Sequence, residues 1–367
     1  MSGFAVYRLP YESHVTLVLQ ADGEPVELSS CTELNGKKGF VVAPFEVRPD
    51  QPILLLHPDK VETIPVEEMA ALPLPETITH PIGIVGGQRM HYTIDFANDH
   101  SQLELGTFRK IVLARCSDEE TEEALSPLEL FHRACMLYPR MFISLVSTTK
   151  SGCWLTATPE VLLEGCSDCA AEGRLQSKNQ WRTIALAGTM QLEGEQLKGE
   201  GENLSWSTKN IQEQRYVATY IAECLEQFTR DFHEEGPYTV RAANLVHLRS
   251  DFTFSLADSS HIGDLLQALH PTPAVCGLPK REAFQFIISN EYTPRRYYSG
   301  FMGMLDPEDQ THLYVSLRCM NIEGHRYHLY AGGGLMKDST EELEWQETEA
   351  KLDTMRRVLM SKKEKDV

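Results

Sequence analysis

No part of this 367-residue chain has the length of apolar sequence that a membrane crossing needs: the run Ile53-Leu54-Leu55-Leu56 falls far short of the about 20 residues required. The N-terminus lacks the charged-then-apolar pattern of a secretory signal. Positive charge is scarce, with 34 Lys and Arg against 53 Asp and Glu, a net of −19. That balance argues against a nucleic-acid partner and against an anionic membrane surface. A regular cysteine framework is also lacking. Nine cysteines, an odd number spread widely, suit a reducing cytoplasm rather than a disulfide framework. The lone Cys166-Ser167-Asp168-Cys169 has no second pair, so it is weak as a zinc motif and reads as a loop or strand edge. There is no internal repeat and no low-complexity tract. What is present is apolar bulk: 42% hydrophobic residues allow a large core, in one big domain or two ordinary ones. An anionic ligand would meet an opposing long-range field, so local cations and a bound metal would have to reverse its sign.

Residues 4–56 hold short β-type runs, Val15-Thr16-Leu17-Val18-Leu19 and Lys38-Gly39-Phe40-Val41-Val42, with Ala21-Asp22-Gly23-Glu24 as a turn. Residues 57–82, rich in Pro and Glu, read as a connector with one helical turn. A helix is expected over 90–106, a strand over Lys110 to Arg115 and an acidic helix from Glu119 to Leu137. Strands are expected at Met141 to Ser147, Trp154 to Ala157, Val161 to Glu164 and Trp181 to Met190. A long helix is expected over Asn203 to Phe228, then a strand through Val246-His247-Leu248 and a helix from His261 to Leu269. Tyr297 to Leu305, Leu313 to Met320 and Arg326 to Ala331 read as adjacent strands, the last two joined by a hairpin at Glu323-Gly324. Strands mostly follow strands, which favours an α+β fold with large antiparallel sheets over a doubly wound parallel one.

Several residues stand out against this pattern. Ser339 and Thr340, with Glu342 three residues after Ser339, read as a capping box that opens a helix. Trp345, Thr348, Leu352, Met355 and Leu359 make its mostly apolar face, flanked by Glu344, Glu347 and Lys351. On a solvated helix these are an ordinary i,i+4 pair. Next to a strand that runs into Gly332-Gly333-Gly334, read here as a loop, they suit an anion-and-metal site. In the long helix Val217, Tyr220, Cys224 and Phe228 form the inward stripe, and one turn back it reaches Glu213. A carboxylate on a buried face is costly unless paired or metal-bound; in the first turns it would instead meet solvent and the positive helix end. Lys110 opens an apolar strand, where it either snorkels to water or, desolvated, acts as a base. Glu160, after Thr158-Pro159, is a strand-start surface acid or a general acid raised by apolar neighbours. Arg318 shares an expected strand face with Tyr314 and Ser316, an exposed sheet face or a bidentate carboxylate contact. His270, before Pro271-Thr272-Pro273, reads as a helix C-terminal cap.

Taken in order, the chain carries Phe108-Arg109-Lys110-Ile111-Val112-Leu113-Ala114-Arg115, then Ala157-Thr158-Pro159-Glu160, Leu186-Ala187-Gly188-Thr189 and Lys209-Asn210-Ile211-Gln212-Glu213-Gln214. His270-Pro271-Thr272-Pro273-Ala274-Val275-Cys276-Gly277, Tyr298-Ser299-Gly300, Arg318, Ala331-Gly332-Gly333-Gly334 and Glu344-Trp345-Gln346-Glu347-Thr348 follow. Each motif is weak, but the ordered set is specific. It resembles the chorismate-utilising enzymes, most closely the isochorismate synthases, over residues 90–360. The resemblance implies large antiparallel sheets packed as a sandwich flanked by helices. It implies a β-rich variable segment over 1–90 packing on the core, a catalytic region over 91–360 and a charged tail over 361–367.

The resemblance also implies a Mg2+-dependent site for the dianion chorismate. Glu213 and Glu347 match the metal-holding carboxylates, which agrees with the preference of Mg2+ for one or two carboxylates plus substrate oxygens. Tyr298 and Arg318 match residues that bind the enolpyruvyl carboxylate, and Gly332 to Gly334 match a backbone N–H cradle. Gly188 and Thr189 match a further substrate contact, Lys351 a lysine near the ring carboxylate, and His270 a histidine at the substrate. Lys110 stands where the water-using members have an activating lysine and the ammonia-using members usually have glutamine. Ala187 stands where aminodeoxychorismate synthases carry a nucleophilic lysine. Together they imply water as nucleophile and no glutamine amidotransferase partner, with Glu160 protonating the departing C4 hydroxyl. The chain departs from the family at Asn210-Ile211, where Asp-Arg is common, and at Cys276, where a small residue is common. Salicylate synthases, anthranilate and aminodeoxychorismate synthases, and an inactive chorismate-binding paralogue are the alternatives.

Overall fold

The computed structural model describes residues 3–69, 81–84, 88–166, 179–191, 204–242 and 245–360. Cys169, the tail 361–367 and residues 70–80 of the expected connector lie outside them. Two large antiparallel sheets, of ten and nine strands among the described residues, carry the chain. The first is built around Lys110–Thr121, which pairs with Arg326–Leu335 from Glu120 opposite Arg326 to Ile111 opposite Leu335. It continues through Cys319–Glu323, Gly152–Thr158, Phe142–Thr148, Gly3–Arg8, His14–Gln20 and Lys60–Pro65. The second runs from Phe232–Ala242 through Leu245–Phe254, Gln180–Gln191, Val161–Cys166, Thr311–Val315 and Phe301–Leu305 to Gly39–Ala43. The N-terminal residues thus enter both sheets, Gly3–Arg8 beside Phe142–Thr148 and Gly39–Ala43 beside Phe301–Leu305.

The sheets face each other across an aromatic layer. Tyr7, Phe142 and Trp154 come from the first sheet and Phe40, Met302 and Tyr314 from the second. Phe142 and Tyr314 stack across the layer with ring centroids 4.3 Å apart and planes 2° from parallel. Burying each such side chain contributes on the order of 1.5–3 kcal/mol. The outer faces are covered as well. In Gly39–Ala43 every residue is buried: Phe40 and Val42 join the central layer, and Val41 and Ala43 join the core under Thr208–Leu225 and Ile262–Leu269. This explains why the strand reads as a continuous apolar run without polar alternation. On the opposite side Pro127–Leu137 and Glu341–Leu359 cover the first sheet with Leu130, Phe131, Leu352 and Met355. No helix among the described residues is long and apolar enough to cross a membrane.

Several expected boundaries move. The strand from Lys110 continues to Thr121, and the helix that follows starts at Pro127, after the N-cap Ser126. Glu119 is buried in the strand and satisfied by Arg356 at 2.6 Å. The long helix is Thr208–Leu225, shortened because the Ser207 side chain accepts the Asn210 N–H as its N-cap. The last helix is capped at Thr340, not Ser339; Ser339 Oγ accepts the Met336 N–H at 3.0 Å and closes the preceding turn. Leu313 to Met320 is not one strand. Thr311–Val315 lies in the second sheet and Cys319–Glu323 in the first, so the chain crosses between sheets at Ser316-Leu317-Arg318. Gly332 to Gly334 are not a loop but the far end of the Arg326–Leu335 strand. Lys60–Pro65, Phe232–Ala242 and the helix Lys280–Asn290 are elements that the sequence reading does not contain.

Candidate active site

Where the chain crosses from one sheet to the other, the sheets enclose a cavity of about 60 Å3. Each wall comes from a different element. Glu160 closes the turn before Val161–Cys166, and Glu213 points in from the second turn of Thr208–Leu225. Gly188 and Thr189 sit at a bulge of Gln180–Gln191, where Gly188 takes φ +70 and the register with Leu245–Phe254 slips. Arg318 stands on the crossing itself with φ +46. Tyr298, Gly332, Gly334 and Lys351 also line the cavity. A β-carbon at Gly332 would lie 2.7 Å from the Tyr298 hydroxyl, so the missing side chain is what admits that tyrosine.

Lys110 and Glu347 stand one contact behind this wall. Lys110 is fully buried, with Nζ 2.9 Å from Glu213 Oε1 and donating to the Pro273 carbonyl at 2.7 Å. Glu347 Oε1 is 2.7 Å from Lys351 Nζ, which also donates to the Gly332 carbonyl at 2.8 Å. Gly332 to Gly334 face the Lys110–Thr121 strand on one side only, since pairing with Cys319–Glu323 ends at Tyr330. Gly332 and Gly334 therefore present strand backbone to the pocket rather than a free loop, and Gly333 between them does not line it. His270 is absent from the wall. Its ring packs edge-on to Phe301, 5.0 Å between centroids, and burial beside Lys280 lowers its pKa to about 3.

The pocket's own histidine is His247, which the sequence reading passed over. Burial and the nearby Arg318 and Lys351 push its pKa well below the ordinary value, so the ring is neutral. Arg318 Nη2 lies 2.6 Å from His247 Nε2. Because a guanidinium only donates, Nε2 accepts and the ring proton sits on Nδ1, 3.3 Å from the Gly188 carbonyl. The available signal was a histidine between Val246 and Leu248 in an apolar strand, where burial demands a partner.

Charge in the pocket is divided. Burial raises the Glu160 carboxyl to about 8, against the pull of Lys110, Arg318 and Lys351, so it is largely protonated at neutral pH. Burial also pushes Glu213 up, but Lys110, Lys209 and Lys351 outweigh it and hold Glu213 ionised. Glu344, on the same helix as Glu347, is bonded to Lys209 through one oxygen, while its other oxygen is buried without a partner. A β-carbon at Gly333 would lie 3.3 Å from that oxygen and 3.8 Å from Glu347 Oε1; one at Gly334 would lie 3.0 Å from the Glu213 carboxyl carbon. The missing side chains at Gly333 and Gly334 thus leave room for Glu344 and Glu347 beside one glycine and for Glu213 beside the next. That donor set suits a hard divalent cation.

The cavity is smaller than the about 300–1,000 Å3 of small-molecule sites, so its walls must part for a ligand. Through Pro159 and Leu186 it shares walls with a second cavity of about 750 Å3, lined by Arg140, Arg182, Arg241 and Arg249. Glu160, Glu213, His247, Arg318 and Lys351 gather in the smaller cavity.

A family profile described as chorismate binding enzyme matches residues 79–360. The salicylate biosynthesis isochorismate synthase of Pseudomonas aeruginosa is 32% identical over 280 residues, 74% of this chain. The chain spans about half of that relative, 55% of its length. Isochorismate synthase EntC of Escherichia coli is 26% identical over 326 residues, covering 87% of this chain and 81% of EntC. Isochorismate synthase DhbC of Bacillus subtilis is 29% identical over 333 residues, covering 88% and 78%. In fold, the chain superposes on the menaquinone-specific isochorismate synthase MenF of Escherichia coli with a TM-score of 0.81 at 24% identity, over 98% of this chain and 89% of that one. With anthranilate synthase component I of Streptococcus pneumoniae the TM-score is 0.64 at 17% identity, over 92% and 82%. The chain belongs to the chorismate-binding enzymes, among relatives that are isochorismate synthases.

Proposed function

We propose that the protein is an isochorismate synthase, converting chorismate to isochorismate by adding water at ring C2 and expelling the C4 hydroxyl. The observation that carries this reading is a buried acid held protonated, Glu160, in one pocket with Glu213, whose buried partner Lys110 stands directly behind the wall. Glu160 delivers its proton to the departing C4 oxygen, which leaves as water. Lys110 takes the proton of the incoming water. As an ammonium it is held by Glu213 and the Pro273 carbonyl, so it must give up a proton and one of these bonds to serve as base. Arg318, with His247 buttressing its guanidinium, and Tyr298 orient one substrate carboxylate; Lys351 faces the other. Glu213 and Glu347 would hold Mg2+, with Glu344 beside them, and the ion would supply positive charge to the ring carboxylate when bound. Ala187 on the pocket wall offers no amine, which supports water as nucleophile and an enzyme that works without an amidotransferase partner. The product would feed menaquinone or catecholate siderophore synthesis in the cytoplasm.

Two substitutions test this reading. Lys110→Ala is expected to abolish hydration while chorismate still binds, measured by calorimetry; unchanged turnover removes Lys110 as base. Glu213→Ala is expected to lose activity together with Mg2+ binding, and a normal Mg2+ titration of the variant contradicts the metal assignment.

A further inference from the structure

The strands that carry Lys110 and Gly332 bring a second set of ligating groups together toward their other ends. Cys116 and Asp118 are two residues apart on Lys110–Thr121 and so share one face of the sheet. His328 stands directly opposite Asp118 on Arg326–Leu335. The Cys116 sulfur, a carboxylate oxygen of Asp118 and a ring nitrogen of His328 all lie within 4.8 Å of one another. Asp118 Oδ1 is 2.6 Å from His328 Nδ1 and 3.5 Å from Cys116 Sγ. The other ring nitrogen, Nε2, faces Glu323 Oε2 at 3.6 Å. Beside the cluster lies a cavity of about 380 Å3, to which His91, Tyr292 and Thr293 also contribute.

An ordinary ion pair accounts for Asp118 and His328 alone. It does not account for a thiol on the same carboxylate oxygen, nor for a second carboxylate at the far nitrogen. We propose that Cys116, Asp118 and His328 form a binding site for a divalent transition metal of the zinc class, with Glu323 orienting the His328 ring and the fourth position open to the cavity. Three protein ligands with an open position is the arrangement of accessible zinc sites. A metal-bound histidine characteristically gives its other N–H to a carboxylate. Thiolate and imidazole select zinc-like ions over Mg2+, so this site would not compete for the ion expected at Glu213. Thiolate and carboxylate together also balance a dication. Burial and Asp118 raise the Cys116 thiol, so binding displaces its proton into solution. A metal here ties these two neighbouring strands together, six residues from Lys110 and four from Gly332.

The test is titration of the full chain, stripped by chelator, with Co2+ and then Zn2+. One equivalent of Co2+ is expected to give a sulfur-to-cobalt charge-transfer band, bleached by Zn2+. Cys116→Ser is expected to abolish the band, Glu323→Gln to weaken binding about 10–100-fold, and Glu213→Gln to leave the band intact. His328→Asn serves as a second removal should the serine variant fold poorly, with thermal unfolding as the check. Absence of the band, or a band that survives both Cys116→Ser and His328→Asn, overturns the proposal.

Discussion

Glu160 takes its role from its surroundings rather than from its residue type. Burial lifts its carboxyl to about 8 while three cations pull it down. If it is the general acid, kcat/KM falls as pH rises through about 8, and Glu160→Gln loses about 10²–10⁴-fold in kcat/KM. Profiles of kcat/KM against pH check both; a flat profile through pH 8 contradicts the assignment. The same shift bears on stability. The folded carboxyl keeps its proton up to about 8, whereas the unfolded one releases it near 4.5, so the group's contribution is fully present below 4.5 and is lost as pH rises to 8. Glu160→Gln is therefore expected to flatten the fall of Tm over that window. A Tm profile identical to that of the unsubstituted protein contradicts the shift. At this scale the residues were informative about Glu160 and Glu213, which break apolar patterns, and about His270, which does cap the helix Ile262–Leu269; only the resemblance set the His270 ring at the substrate. A histidine after a helix and before a proline looks the same whether its ring enters a pocket or, as here, packs on Phe301.

The element that organises the site is the pair Lys110–Thr121 and Arg326–Leu335. Its glycines are where backbone, carboxylates and lysine come closest. A β-carbon at Gly334 would meet Lys110 Cε at 2.7 Å and press on the Glu213 carboxylate. Gly334→Ala is expected to cut activity by more than about 10-fold while costing about 1–3 kcal/mol of stability, measured by kinetics and denaturant unfolding side by side. Wild-type kinetics in that variant would mean that the strand does not set the position of Lys110 and Glu213. The strand from Lys110 was legible as a continuous apolar run, buried on both faces, and the helix with Glu213 by its one apolar face. Periodicity could not reveal that Leu313 to Met320 is shared between two sheets. Each half has strand character, and the crossing at Arg318 depends on which distant strands each half pairs with. The glycine run reads as a loop in the sequence for a related reason: its strand is fixed by the partner Lys110–Thr121, not by its own side chains.

For the molecule as a whole, the net charge of −19 sets the far field, and Arg318 and Lys351 in the pocket wall, with Lys110 behind it, set the near one. A dianionic substrate is repelled at long range. Salt shortens that repulsion from a Debye length of about 30 Å at 0.01 M to about 8 Å at 0.15 M, while buried contacts are screened much less. The expected outcome is that kcat/KM for chorismate rises with NaCl over this range at fixed free Mg2+; a steep fall would mean that the arginine-lined cavity governs approach instead. The α+β sandwich itself was legible from strands following strands, and the resemblance placed the pocket within it. The most direct test of the central claim is to incubate the purified chain with chorismate and Mg2+ and separate the products by chromatography. Isochorismate as the product is the predicted result; salicylate with pyruvate, anthranilate formed with ammonium, or unchanged chorismate would contradict it.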